Sequence, residues 1–97
     1  MSHRETREGG TTMANAIRAK RLIQVARRAV VQEMRRRGWS EGRYTLGYPG
    51  ALKDGYRFEA TIPGQSGPFA RIYVIFDADP MEVDEAEIVN TTYSPCL

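Results

Sequence analysis

The chain has 97 residues, enough for one domain and too few for two, and its 41% apolar and 27% charged residues are those of an ordinary soluble globular protein. A single cysteine, Cys96, excludes an internal disulfide and a cysteine-based zinc site and fits a reducing compartment, so a cytoplasmic protein is expected. The net charge of +2 hides an asymmetry: residues 1–43 carry eleven Lys/Arg against four Asp/Glu, and residues 44–97 carry three against eight. Such a split marks either a basic surface for a polyanion or two halves that attract each other within one fold.

In chain order, "MSHRETREGGTT" is polar, holds paired glycines and has no periodicity, so residues 1–12 are expected to be a disordered tail, with Met13 a candidate start. Residues 13–97 then form a single domain. "MANAIRAKRLIQVARRAVVQEMRRRG" predicts one helix from about Met13 to Arg37, with Thr12 as its N-cap. At 100° per residue, Ala19, Leu22, Ile23, Val25, Ala26, Ala29, Val30 and Met34 share one face, while Lys20, Arg21, Gln24, Arg27, Arg28 and Arg35 share the other. Gly38 suits the left-handed position that ends a helix. Glu33 is the one acid inside the apolar stripe. Its expected role is an ion pair with Arg37 or Arg36 one turn on, rather than that of a buried general base.

Beyond Gly42 the apolar period changes from 3.6 to two. "RYTLGY" (43–48) predicts a short edge strand weakened by Gly47, and Pro49-Gly50 and Asp54-Gly55 are turn signals. "YRFEATI" (56–62) puts Tyr56, Phe58, Ala60 and Ile62 on one face. "PGQSGP" is a loop. "FARIYVIFD" (69–77) sends Ala70, Ile72, Val74 and Phe76 toward the helix and Phe69, Arg71, Tyr73 and Ile75 away. An acidic loop, "ADPMEVDE", leads to a last strand, "AEIVNTTY" (86–93). The predicted fold is therefore α+β, one long N-terminal amphipathic helix packed on one face of a three- to four-stranded antiparallel meander. The other face, expected to carry Tyr73, Ile75, Val89 and Tyr93 with Arg57 and Arg71, is left for a partner, such as a second subunit in a homodimer.

The sole histidine, His3, lies in the tail, which argues against a Ser-His-Asp triad and a multi-histidine metal site. The Asp77/Asp79 pair lacks the glycine and terminal glutamate of a calcium loop, so no metal and no cofactor is expected. No apolar run reaches the ~18 residues of a membrane span and no signal peptide is evident, so no membrane partner is expected. Arg35, Arg36 and Arg37 are explained in part by the negative end of the helix dipole. With Arg18, Lys20, Arg21, Arg27 and Arg28 they form a basic stripe about 30 Å long, the footprint of a phosphate-backbone contact. The same stripe suits an acidic protein surface. Arg21, Arg27, Arg28, Arg35, Arg36, Arg37 and Tyr73 are the candidate binding residues.

The segments "YRFEATI…ARIYVIFD…EAEIVNTTY" resemble the sheet of the RelE/ParE-like small toxins, over about half the chain and in layout rather than by a diagnostic motif. The resemblance implies basic helices before an antiparallel sheet and an RNA-directed activity. In its ribonuclease members, basic residues and a C-terminal tyrosine act without a histidine, and Arg57, Arg71 and Tyr93 are the positions that match. The chain differs in having one long helix instead of a helical hairpin and no strand before it. Two readings result: a small RNA binder or RelE-like endoribonuclease, and a protein-interaction module such as an immunity protein, an inhibitor or a phage-encoded blocker.

Overall fold

A computed structural model describes residues 20–96. Helix α1, Arg4–Arg36, is described from Lys20 onward, and the expectations for the 1–12 tail, the Thr12 cap, Arg18 and Ala19 lie outside the described residues. Five strands follow: β1 (Thr45–Leu46), β2 (Gly50–Leu52), β3 (Gly55–Thr61), β4 (Ala70–Phe76) and β5 (Ile88–Pro95). All pairings are antiparallel, in the order β1-β3-β4-β5, with β2 also paired to β3. The fold is α+β, with one helix N-terminal to the sheet and packed on one of its faces. None of the described residues forms a helix long and apolar enough to cross a membrane.

The two periodicities meet in one core. Leu22, Ala26, Val30 and Met34, spaced by four along α1, are buried against Tyr56, Phe58 and Ala60 of β3 and Ala70, Ile72, Val74 and Phe76 of β4. Ile23 and Val25 pack at the margins. Phe69 departs from the expected alternation. It precedes β4, stacks on Trp39 with ring centroids 4.5 Å apart, and packs against the core instead of facing away.

The helix ends as its glycine predicts. Gly38 has φ 92°, its N–H bonds the Arg35 carbonyl, and the Trp39 N–H bonds the Met34 carbonyl. This double bond pattern is a Schellman motif, and it satisfies carbonyls that the last turn would leave orphaned. Trp39 then lies edge-on to Tyr44 as well as stacked on Phe69, so the chain reversal is sealed by aromatic contacts.

The Pro49-Gly50 turn is replaced by a strand. β1 and β2 lie along the same edge of β3, in registers that differ by one residue. Gly47 bonds Glu59 and Gly50 stands opposite Arg57, which leaves Tyr48 and Pro49 opposing Phe58 alone. This is a bulge, which is where an edge accepts a proline. The turn into β3 is made by Lys53 and Asp54. Gly55 opens the strand, because a Cβ there would lie 1.9 Å from the Val74 carbonyl oxygen.

On β5 the register places Tyr93 opposite Ile72 and Thr91 opposite Val74, so both point to the helix side. Tyr93 is thus on the face opposite the expected one, and the Arg37 guanidinium covers its ring at 4.2 Å. Val89 sits where the β4–β5 register shifts, as an exposed bulge residue. The open face carries Arg57, Glu59, Arg71, Tyr73, Ile75, Asn90, Thr92 and Ser94. It is more polar than expected, which an antiparallel sheet tolerates with one side in water.

Candidate nucleic-acid interface

Once Leu22, Ala26, Val30 and Met34 are committed to the core, geometry turns Lys20, Arg21, Gln24, Arg28, Gln32 and Arg35 outward, and all six are exposed. Arg21, Arg28 and Arg35 recur every seven residues, two helical turns or about 10.5 Å apart. An open depression of about 510 Å³ runs beside them, lined by Gln24, Arg27, Arg28, Val31, Gln32, Arg35 and Glu41.

The cations of this helix fall into two groups. Near the C-terminus they are engaged. Arg36 Nη2 and Arg37 Nε donate to the two oxygens of Glu33 at 2.7 and 2.8 Å, and Arg35 Nη2 reaches Glu41 at 3.4 Å. Glu33 is only 7% exposed. The bond from Arg37 holds its carboxyl below the usual carboxylate range, against the desolvation that burial imposes, and Arg36 adds to the lowering. The carboxylate is therefore a structural anion, as its place in the stripe implied. Arg37 is held twice, by Glu33 and by the Tyr93 ring.

Upstream the cations are unpaired. Lys20, Arg21, Arg27 and Arg28 make no ion pair among the described residues. Arg27 differs from the others in lying over the buried Phe58 ring at 5.3 Å, so its stem covers core while its charge reaches solvent.

The three residues matched to a ribonuclease site are not brought together. Arg57 and Arg71 lie on the open face of β3 and β4, where Arg71 Nε donates to Glu59 at 2.9 Å and Arg57 lies over Gly50. Tyr93 is on the other side of the sheet, under Arg37. Tyr73 shares the open face with Arg57 directly opposite, and Thr92 on its other flank. The acidic loop gathers no metal-binding cluster among the described residues. Asp77, just before the loop, accepts from the Glu87 N–H, and Asp79 within it accepts from the Met81 N–H, so both carboxylates cap backbone.

Sequence reasoning missed Tyr44. Its hydroxyl, like that of Tyr56, is buried without a protein partner among the described residues, and Tyr44 also lines a smaller recess with Arg27, Glu41 and Leu46. Burial pushes both phenols up, with nearby Glu41 and Asp79 adding to the effect. The signal in "GRYTLGY" was limited to its alternation, which cannot tell a core tyrosine from a surface one. No family profile, characterised protein or solved structure matches the chain.

Proposed function

We propose that the protein binds RNA through the outer face of α1, without cleaving it. The observation that supports this is the run of exposed cations Lys20, Arg21 and Arg28, which make no ion pair among the described residues and are interleaved with the amide side chains of Gln24 and Gln32. Each cation that neutralises a phosphate releases condensed counterions, and glutamine adds donors and acceptors for sugar or base edges. RNA is the polyanion implied by the likeness of the sheet to the RelE/ParE-like toxins. Cleavage is left out because Tyr93 lies on the opposite side of the sheet from Arg57 and Arg71.

Anisotropy of a labelled single-stranded oligoribonucleotide, titrated at several salt concentrations, tests the reading. Affinity is expected to fall with a log–log slope of about −0.7 per contacted phosphate. Replacing both Arg21 and Arg28 with glutamine flattens that slope by about 1.4 and leaves the fold intact, since neither touches the core. The labelled strand stays full length throughout. If no oligonucleotide binds near physiological salt, RNA is not the ligand and the stripe is left as a contact for an acidic protein surface. If the strand is cut, the claim of binding alone is wrong.

A further inference from the structure

Two recesses flank α1 on the side toward β1, and they join. The smaller, about 210 Å³, is lined by Arg27, Val31, Glu41, Gly42, Tyr44 and Leu46. It shares Arg27, Val31 and Glu41 with the larger depression of about 510 Å³ that holds Gln24, Arg28, Gln32 and Arg35. Leu46 stands opposite the buried Ala60, so it faces α1, and Tyr44, two residues earlier, faces the same way. The result is an apolar floor of Val31, Leu46 and the Tyr44 ring under a rim of cations and amides. A concave, apolar space with a few convergent polar groups suits a small flat group rather than a protein segment.

Two polar groups here are not satisfied by the fold. Tyr44 is only 7% exposed, and its hydroxyl is buried with no hydrogen-bond partner among the described residues. An unmet buried donor is costly. The rim charges of Glu41 and Arg35 both act on its ionisation, which puts the hydroxyl end of the ring on the recess side, and burial keeps it protonated and able to donate. The exposed Glu41 carboxylate meets Arg35 Nη2 at 3.4 Å through Oε1, and its Oε2 has no partner among the described residues. An ionised carboxylate accepts about four bonds, so most of its capacity is unused. Arg27, anchored over Phe58, forms one wall, and a guanidinium plane is a stacking surface for a base.

We propose that this space is a guanine site, with Glu41 accepting from N1–H and the N2 amine and the Tyr44 hydroxyl donating to O6. The base comes from the strand held by Lys20, Arg21 and Arg28, so the inference rests on the RNA reading of α1 and adds a base to it. Chemistry picks guanine from the four. Its Watson–Crick edge presents an acceptor followed by two adjacent donors, the complement of one hydroxyl donor and the paired oxygens of a carboxylate. Uracil offers one N–H between two carbonyls. Adenine and cytosine each offer one amine beside a ring-nitrogen acceptor, which a carboxylate repels. The bonds to Glu41 are charge-assisted, hence short and strong. Arg28 and Arg35 stand on the rim, where they meet the phosphates that flank the base.

Anisotropy of a labelled oligouridine carrying one central guanine, against the same strand with adenine, cytosine, uracil or inosine there, tests the site on the full chain. Guanine is expected to bind at least ~10-fold more tightly than adenine, cytosine or uracil, and inosine, which lacks the N2 amine, falls between. Glu41→Gln, at an exposed position, abolishes the preference while the other strands bind no more weakly, since a negative charge leaves a phosphate-binding face. A Glu41 that served only to hold Arg35 would not move that ratio. Tyr44→Phe keeps the ring in its packing and reduces the preference several-fold. Equal binding of all the strands overturns the guanine site and leaves the RNA reading standing. A preference that survives Glu41→Gln overturns the site too, because the base is then read elsewhere. If no strand binds, the RNA reading fails by itself, and the emission of Trp39, which lies edge-on to Tyr44, decides the site. Quenching by guanosine monophosphate but not by adenosine monophosphate then supports it, and an equal response to both, or none, overturns it.

Discussion

Gly38 and Gly55 are both glycines of necessity, for different physical reasons. At Gly38 the space around a Cβ is empty and only the backbone, at φ 92°, resists a side chain. Gly38→Ala is therefore expected to cost about 1–2 kcal/mol, the penalty of the left-handed conformation. At Gly55 a Cβ would lie 1.9 Å from the Val74 oxygen and 2.9 Å from its carbonyl carbon, both rigid backbone in the central strand. Gly55→Ala must push β3 and β4 apart where they pair, at a cost above about 3 kcal/mol. Chemical denaturation of the two variants ranks them. Equal losses would mean that β3 can slide away from β4 at its first residue.

At the level of elements, β4 is the strand on which the two faces are most clearly distinguished. Val74 is fully buried under α1, while Ile75 stands on the open side between Gly55 and Asn90. Val74→Asp buries an unpaired carboxylate and is expected to unfold the domain or nearly so. Ile75→Asp is much milder, and circular dichroism with a denaturant midpoint for each variant separates them. The difference was legible in "FARIYVIFD", because strict alternation under a helix with a matching apolar stripe leaves one register. The helix, its glycine stop and the Glu33 fork were legible for the same reason, being set by spacing within one element. What the sequence hid depends on relations between elements. Tyr93 has the same odd parity as Tyr73, yet the two point to opposite faces, because parity within a strand says nothing of the register between strands. Pro49-Gly50 carries the composition of a turn, and only the continuation of pairing on its far side reveals a bulge.

Across the whole molecule, stability is bounded on both sides of neutral pH by groups in different places. Glu33 has a folded pKa below its unfolded one, so its contribution is complete above the ordinary value of 4.5 and is lost as pH falls through the folded value. Tyr44 and Tyr56 are raised above their ordinary value of 10.0, so beyond that pH the unfolded phenols ionise first and stability falls as pH rises. Denaturant midpoints plotted against pH are expected to form a plateau with two descending limbs. Glu33→Gln lowers the plateau by about 1 kcal/mol and flattens the acid limb. Tyr44→Phe flattens the alkaline limb at little cost near neutrality, since its hydroxyl has no protein partner among the described residues to lose. An acid limb unchanged in Glu33→Gln would show that other carboxylates govern acid unfolding.

Trp39 is the only tryptophan in the chain, and it occupies the joint where α1 stops and the sheet begins. Its ring spans that joint, flat on Phe69 before β4 and edge-on to Tyr44 before β1. The protein thus carries its own optical gauge. Indole emission reports whether helix and sheet are docked, and near-ultraviolet dichroism reports the fixed stacking geometry. Far-ultraviolet dichroism reports the backbone of each element whether or not the two are joined. If the signals change together on heating, helix and sheet melt as one cooperative unit, and if the indole signal changes first, the layers part before either loses its own hydrogen bonds.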